Sequence, residues 1–290
     1  MFKGSIVALA TPFLNGKVDE QRLGELVEFH IANGTHAIVS CGTTGESATM
    51  SHDEDMRVTE FVIKKVNKRI PVIAGTGSNN TSEALDLTAA AKKNGADGAL
   101  IVVPYYNKPT QEGMYQHYKK IAETVDIPII LYNVPGRTGV GMQPETAIRL
   151  SKIPGIVAIK EASGTVDNAM QIIKSAPEFT VLSGDDGITF PMMALGAKGV
   201  ISVAANVIPD KVSKLCEFML AGNYTEGRKL HYECLDLFNA MFYESNPIPV
   251  KAALHLMGMV GSEVRLPLTN MRPENLERLR IVMQKVGIKC

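Results

Sequence analysis

Lys160 is the residue of this sequence whose setting most strongly suggests covalent chemistry. It ends the apolar, β-branched run Ile156–Lys160, and the small-residue turn Glu161–Gly164 follows it directly. An amine withdrawn from water loses part of its preference for the ammonium form, and only the neutral amine attacks a carbonyl carbon. This is the position expected of a Schiff-base lysine. The alternative is a strand-end lysine that extends its ammonium into solvent.

Two further candidates lie at the end of the preceding β-branched run and in the loop after it. Tyr132 ends that run, and Arg137 lies a few residues later in a loop containing proline and glycine. A tyrosine beside an amine can transfer protons while a carbinolamine forms and dehydrates, and a guanidinium offers two parallel donors to a carboxylate. A tyrosine packed in the core and a solvated loop arginine are the alternatives.

The loop Cys41–Ser47 combines glycines with the adjacent hydroxyls of Thr43 and Thr44. Backbone amides and hydroxyls in such a loop can hold a small anion, although Gly-Thr turns also occur for conformational reasons alone. The loop Pro104–Pro109 carries Tyr105 and Tyr106, a pair that suits an interface or a site lid, or else simple packing.

The elements that must position these residues repeat one unit, in which a short β-branched run, a loop and an amphipathic stretch follow one another. The predicted strands are Ser5–Leu9, Ala37–Ser40, Pro71–Ala74, Ala99–Val103, Ile127–Tyr132, Ile156–Lys160, Thr180–Ser183 and Gly199–Val203. Ser51–Glu54 and Asn80–Glu83 have the spacing of helix capping boxes. Eight such units favour an α/β fold of the (β/α)8 TIM-barrel class, in which the strands' carboxyl ends converge on one site. An open doubly wound sheet is the alternative.

From about Tyr224 the pattern changes to helices alone, predicted at Glu226–Tyr243, Pro249–Met259 and Pro273–Val286. We expect a barrel over residues 1–223 and a C-terminal helical extension over residues 224–290, packed on the barrel. No linker rich in Gly, Ser or Pro separates the two.

Composition limits the possible partners. The 290 residues carry 30 basic and 30 acidic side chains and are 45% hydrophobic, which favours neither nucleic acid nor a membrane as partner. The sequence has no signal-peptide pattern and no apolar run of membrane-spanning length, so we expect a cytoplasmic protein. The four cysteines are far apart and the six histidines are scattered, which disfavours a disulfide framework or a metal-dependent aldolase.

The motifs together closely resemble the dihydrodipicolinate synthase family, almost from end to end. The matching runs are Gly42–Ser47, Pro104–Asn107, Tyr132–Thr138, Lys160–Gly164, Ser183–Asp186, Gly199–Ser202, Asn246–Lys251 and Arg265–Leu268. The resemblance implies that Lys160 forms an imine with pyruvate, whose enamine attacks L-aspartate 4-semialdehyde in the diaminopimelate route to lysine. No metal or organic cofactor is implied, because the imine itself accepts the electrons.

The resemblance also implies roles for the remaining residues. Thr43, Tyr106 and Tyr132 would form a proton relay, with Tyr106 supplied by a neighbouring subunit of a homotetramer built as a dimer of dimers. Thr44 would join Thr43 in holding the pyruvate carboxylate, and Arg137 would hold that of the semialdehyde. Gly184, Asp185 and the Ile201 backbone would line the same mouth.

A second site is implied by positions at which lysine-inhibited relatives bind L-lysine, namely Ser47, Ala48, His52, Asn79, Glu83 and Tyr105. Asp55 departs from the histidine that some inhibited relatives carry, so the resemblance leaves sensitivity to lysine open. The alternative is that Ser47, Asn79 and Glu83 only cap helices.

Two other functions are weighed against the synthase. A pyruvate-dependent aldolase acting on sialic acid or a 2-keto-3-deoxy sugar acid would share the lysine and the strand-five tyrosine. The paired threonines and Arg137 favour two carboxylate seats, whereas a sugar chain needs hydroxyl partners. A catalytically silent small-molecule sensor on the same barrel would have no need to keep Lys160 together with Tyr132, Tyr106 and Thr43.

Overall fold

Eight parallel strands close into a barrel in the computed structural model, which describes residues 2–290. In chain order they are β1 (Gly4–Ala8), β2 (Ala37–Ser40), β3 (Val72–Gly75), β4 (Gly98–Val102), β5 (Ile129–Asn133), β6 (Ile156–Glu161), β7 (Thr180–Ser183) and β8 (Gly199–Ser202). Each overlaps one of the eight predicted runs. The barrel closes because β1 pairs with both β2 and β8, with Gly4 opposite Gly199. The predicted TIM barrel is therefore confirmed, and the open sheet is wrong.

Helices follow the strands and cover the barrel. They are α1 (Glu20–Ala32), α2 (His52–Val66), α3 (Thr81–Asn94), α4 (Gln111–Thr124), α5 (Pro135–Thr138), α6 (Pro144–Leu150), α7 (Asp167–Ser175), α8 (Thr189–Ala194), α9 (Pro209–Leu220), α10 (Tyr224–Ala240), α11 (Ile248–Leu256) and α12 (Pro273–Lys285). Across residues 2–290, no helix combines the length and apolar character that crossing a membrane requires.

The two predicted capping boxes behave differently. The Ser51 side chain accepts a hydrogen bond from the backbone N–H of Glu54, as the box at the start of α2 requires. The Asn80 side chain instead accepts from Ser82, while the carboxylate of Glu83 accepts from the Ser78 hydroxyl at 2.7 Å. Glu83 therefore bonds to the preceding loop and does not complete a capping box.

Strand alternation decides which side chains point into the barrel. Ile130, Tyr132 and Val134 belong to the interior apolar cluster, as does Ala158. Lys160 lies two residues after Ala158 and therefore faces the same way. In the β5–β6 register Tyr132 is the direct partner of Lys160, so adjacent strands bring the amine and the phenol together at the barrel mouth.

The C-terminal helices α10–α12 occupy the region predicted as an extension. The first starts two residues earlier than predicted, because the Asn223 side chain caps it by accepting from the N–H of Glu226. It ends at Ala240, before the turn that leads to Pro247 and α11. We propose the division into a barrel of residues 1–223 and an extension of residues 224–290 on this architecture.

A two-stranded hairpin, Phe13–Leu14 with Lys17–Val18, was not predicted. Its turn is Asn15–Gly16, and both residues have positive φ (52° and 77°), a conformation that an Asn-Gly pair adopts readily. The hairpin places the buried ring of Phe13 beneath Lys251 and Arg265, with Lys251 Nζ 4.3 Å from the ring centroid.

Candidate active site

A cavity of about 190 Å³ opens at the carboxyl ends of the barrel strands. Seven of the residues predicted for catalysis or substrate binding line it: Thr43, Thr44, Tyr132, Arg137, Lys160, Gly184 and Asp185. They come from the ends of different strands and from the loops that follow, so the barrel unites groups that are up to about 140 residues apart in the chain. The volume suits a small organic molecule rather than a macromolecule.

Lys160 is 5% exposed, and its amine lies 4.2 Å from the centroid of the Tyr132 ring. The neighbouring carboxylate of Glu161 is turned away, because it accepts hydrogen bonds from the Asn133 side chain and the Ser163 N–H. Within residues 2–290, no carboxylate lies close enough to form a salt bridge with Lys160 (4.0 Å). The amine is therefore buried, unpaired and on a cavity wall.

Gly184 leaves room for this lysine. A Cβ at position 184 would lie 2.9 Å from Lys160 Cε and 2.6 Å from the Ala162 methyl, closer than real Cβ contacts. The strand exit of β7 thus needs a residue without a side chain. Asp185 follows and accepts from the Gly187 N–H, which orders the next turn.

The threonine loop is held in a tight, specific conformation. Cys41 and Glu46 flank it with positive φ (54° and 57°), and Thr43–Gly45 form a single 3-10 turn between them. Thr44 is buried, and its hydroxyl accepts a hydrogen bond from the Asn246 side chain at 3.0 Å. The loop therefore presents its hydroxyls and N–H groups at a fixed place on the cavity wall.

Glu46 fixes the far end of this loop through the C-terminal extension. One of its carboxylate oxygens pairs with Lys251 Nζ, and the other accepts from the backbone N–H of Arg265 at 3.0 Å. The Glu46 and Lys251 side chains are 0% and 1% exposed. Arg265 in turn pairs with Glu54 at 2.6 Å. A buried ion pair between residues about 200 positions apart thus holds the threonine loop.

Asn246 links the two candidate carboxylate seats. Its side chain donates to Thr44, and its backbone carbonyl accepts from the guanidinium of Arg137 at 3.2 Å. Arg137 lies on the short helix α5, which Val134 N-caps and Gly139 terminates in the left-handed conformation. One residue of the extension therefore sets the positions of a hydroxyl and a cation that both line the cavity.

Two predicted residues lie outside the set that lines this cavity. Tyr106 is 90% exposed with a φ of 71°, and within residues 2–290 it borders neither this cavity nor the one described next. Ile201 is completely buried in the barrel interior, and Val203, two residues further on, borders the cavity instead.

A second cavity, of about 360 Å³, adjoins the first and shares Thr43 and Arg137 with it. Four of the six residues predicted for an effector site border it: Ser47, Ala48, His52 and Tyr105. The other two stand just behind its wall. Asn79 donates to the backbone carbonyl of Tyr105 at 3.1 Å, and Glu83 accepts from the bordering Ser78.

Asp55, Phe242 and Asn246 are among the residues that border the catalytic cavity and to which sequence reasoning gave no role there. Asp55 also borders the second cavity, and burial raises the pKa of its carboxyl to about 7. Only the Asn-Pro pair at 246 signalled a special backbone position in the sequence. The local sequence around Asp55 and around Phe242 gives no indication that these residues lie at the wall of a cavity.

The arrangement suits imine chemistry on a small keto acid. A lysine amine on the cavity wall can attack a carbonyl carbon, and the adjacent phenol can move protons to and from the oxygen that leaves as water. The hydroxyls and backbone N–H groups of the threonine loop and the guanidinium of Arg137 are groups that can each hold a carboxylate.

The comparisons agree with this chemistry. Residues 1–286 match the model of the dihydrodipicolinate synthetase family. The 4-hydroxy-tetrahydrodipicolinate synthase of Geobacter sulfurreducens is 59% identical over 98% of this chain and 99% of its own. Dihydrodipicolinate synthase from Acinetobacter baumannii, solved in complex with pyruvate, is 51% identical with a TM-score of 0.98 over 99% of this chain and all of its own. The enzyme from Cyanidioschyzon merolae, solved with lysine bound, is 43% identical with a TM-score of 0.96 over 99% of both chains. This chain belongs to the dihydrodipicolinate synthetase family.

Proposed function

We propose that this protein condenses pyruvate, held as an imine on Lys160, with L-aspartate 4-semialdehyde to give 4-hydroxy-tetrahydrodipicolinate on the route to lysine. The observation that carries the proposal is the contrast between two buried lysines. Lys251 is neutralised by Glu46, whereas Lys160 lies unpaired, within the described chain, on the wall of the cavity. Membership of the synthase family supports the same conclusion.

In the proposed reaction the Lys160 nitrogen attacks the keto carbon of pyruvate, and the keto oxygen leaves as water. Loss of a methyl proton from the imine gives an enamine, whose carbon bonds to the aldehyde carbon while the aldehyde oxygen takes up a proton. The amino group of the semialdehyde then attacks the imine carbon, which closes the ring and releases the Lys160 amine. Tyr132 transfers protons at the amine, a role supported by its ring lying 4.2 Å from Lys160 Nζ. Thr43 and Thr44 hold the pyruvate carboxylate through the ordered 3-10 turn.

Arg137 holds the carboxylate of the semialdehyde in this proposal. Its place on the cavity wall and its anchor on the Asn246 carbonyl support that role, because they leave other guanidinium donors free to face the cavity. Gly184 and Asp185 line the mouth, and the Ile201 backbone supports it from β8.

We also propose that Tyr106 completes the proton relay in a neighbouring subunit, within a homotetramer formed as a dimer of dimers. Its 90% exposure and its position outside the cavities of its own described chain support a role across an interface. The second cavity is proposed as the site for L-lysine as an effector, supported by the four predicted residues that border it. Free thiols on all four cysteines of the described chain support a cytoplasmic location.

The central test is to trap the imine with borohydride in the presence of pyruvate and to locate the adduct by peptide mass spectrometry. We expect one adduct, on Lys160. Lys251 is the internal control, because it is also buried but is paired with Glu46, and it should stay unmodified. Turnover is then measured with L-aspartate 4-semialdehyde and with sugar-derived aldehydes. An unmodified Lys160, or turnover with the sugar aldehydes alone, would overturn the proposal.

Subunit complementation tests the role of Tyr106. Neither Lys160→Arg nor Tyr106→Phe homo-oligomers should be fully active. Hybrids made by unfolding and refolding a mixture of the two should regain activity, because one site then combines an intact Lys160 with an intact Tyr106 from its neighbour. Hybrids no more active than the mean of the two parents would rule out action across subunits.

A further inference from the structure

Glu161 is a buried acid that takes no direct part in the proposed reaction. It follows Lys160 on β6 and, because side chains alternate along a strand, points to the opposite face, away from the cavity. It is 1% exposed, and no lysine, arginine or histidine of residues 2–290 forms a salt bridge with it. Burying a carboxylate without a cation is costly, so the groups that donate hydrogen bonds to Glu161 indicate its role.

Both carboxylate oxygens of Glu161 accept a hydrogen bond. Oε1 accepts from the backbone N–H of Ser163 at 2.7 Å, and Oε2 accepts from the side-chain amide of Asn133 at 2.9 Å. A carboxylate can serve two donors, whereas a glutamine of the same shape has one oxygen and an NH2 group that would face one of the donors. The position therefore needs a side chain that only accepts.

Asn133 connects Glu161 to the loop that carries Arg137. The Nδ2 group of Asn133 donates to the backbone carbonyl of Met142 at 3.2 Å as well as to Glu161, and its Oδ1 atom accepts from the Met142 N–H at 2.9 Å. Asn133 thus closes the loop of residues 134–141 at both ends. Glu161 fixes the orientation of this amide, because an inverted amide would place its oxygen against the carboxylate and its NH2 group against the Met142 N–H.

We infer that Glu161 is a positioning residue for Arg137 and thereby sets the affinity of the site for the carboxylate of the second substrate. The inference rests on the proposed role of Arg137 in holding the carboxylate of the semialdehyde. The helix α5, which carries Arg137, lies within the closed loop, and Arg137 borders the cavity. A shift of this loop therefore moves the guanidinium relative to the reactive amine, and the planar fork of arginine tolerates little misalignment with a carboxylate.

Two contacts limit the influence of the Glu161 side chain to this loop. The main chains of β5 and β6 stay paired without it, since the Ala162 N–H donates to the backbone carbonyl of Asn133 at 2.9 Å. Gln111 from α4 also holds the loop, by donating to the backbone carbonyl of Gly141 at 2.8 Å. Loss of the link through Glu161 should therefore shift the loop without unfolding it and without moving the reactive amine.

The test is Glu161→Gln in the full-length protein in its native assembly. The Ser163 N–H is fixed by the backbone and keeps the glutamine oxygen, so the NH2 group turns towards the Asn133 amide, which must move away. We expect KM for the semialdehyde to rise roughly tenfold, the effect of one charge-assisted hydrogen bond. KM for pyruvate and the rate of borohydride trapping on Lys160 should stay unchanged. Glu145→Gln is the matched control, since it makes the same change at an exposed acid just after the loop and should alter none of the three measurements.

A double-mutant cycle with Arg137→Lys shows whether Glu161 acts through Arg137. In the Arg137→Lys background, Glu161→Gln should raise KM for the semialdehyde by no more than about twofold, because the planar fork is already absent. Asn133→Ser removes the link itself and should give the same pattern, and it replaces Glu161→Gln in the cycle if that variant does not fold.

Three results would overturn the inference. These are an unchanged KM for the semialdehyde in the Glu161→Gln variant, an equal rise in KM for pyruvate, and effects of Glu161→Gln and Arg137→Lys that multiply. If Arg137→Lys alone leaves KM for the semialdehyde unchanged, the proposed role of Arg137 is wrong and the inference fails with it. The pyruvate adduct on Lys160 is measured separately, so none of these results bears on formation of the imine.

Discussion

Replacing Lys251 by methionine tests whether the buried ion pair with Glu46 supports both the fold and the substrate loop. Methionine keeps most of the apolar stem that packs against Phe13 but removes the charge. Glu46 would then keep only the hydrogen bond from the Arg265 backbone N–H in a site where its side chain is 0% exposed. The variant therefore leaves an isolated carboxylate in the protein interior.

The size of the effect follows from that burial. Removing one partner of a buried ion pair typically costs about 3–5 kcal/mol, because the remaining charge is desolvated without compensation. The same replacement at Lys64, which pairs with Glu60 on the exposed face of α2, should cost about 0.5 kcal/mol or less. The double variant Glu46→Gln with Lys251→Met should regain most of the lost stability, because no buried charge remains.

Free energies of unfolding are measured by urea titration at one fixed protein concentration, so that assembly does not change between variants. Initial rates at varied pyruvate concentration give a second measurement, because Glu46 ends the turn that carries Thr43 and Thr44. We expect the Lys251→Met variant to raise KM for pyruvate. A loss below about 1 kcal/mol, or a double variant as unstable as the sum of the single variants, would refute the reasoning.

Three further outcomes follow from the same structure. Asp55→Asn should stabilise the fold at pH 8 by up to roughly 4 kcal/mol and leave it nearly unchanged at pH 4, as urea titrations at both pH values would show. The sign follows because the pKa rises from 3.8 to about 7 on folding, so the folded chain retains a proton that the unfolded chain releases, and stability falls as pH rises through this window. Gly184→Ala should lower kcat at least about tenfold, because the new methyl would displace the Lys160 stem; an adduct forming at an unchanged rate in borohydride trapping would contradict this. Arg137→Lys should raise KM for the semialdehyde about tenfold or more while leaving KM for pyruvate nearly unchanged in steady-state kinetics, because a lysine lacks the planar fork.

The barrel was predictable because its determinants are local. Each strand of the wall is covered on both faces, so runs such as Ile156–Lys160 are apolar and β-branched regardless of their neighbours. Because eight such runs recur along the chain, they indicate a parallel barrel in which consecutive strands are neighbours. The ends of β5 and β6 therefore lie side by side. The contact between Tyr132 and Lys160 follows from these two facts alone.

The supports of the site were not predictable in this way, because they join distant parts of the chain. Glu46 and Lys251 lie in runs that resemble the family, but only the fold shows that their charges compensate each other. The same holds for Asn246 and its contact with Thr44. Asp55 occupies an ordinary position in the first turn of a helix, where acids are common, and only the fold shows that it is buried at a cavity wall.

The proposed boundary at residue 223 therefore separates two architectures but does not separate two functions. The barrel supplies Lys160 and Tyr132, the groups proposed to react, from adjacent strands whose positions the sheet alone fixes. The threonine loop differs, because Asn246 holds it at Thr44 and Lys251 holds its far end at Glu46, and both of these residues belong to the extension. A barrel without the extension would keep its amine but would lose the partners that hold the carboxylate seat and would expose Glu46. The carboxylate seats proposed for the substrates are thus held in place by residues of the last quarter of the chain, and we expect catalysis to require that the two parts fold as one unit.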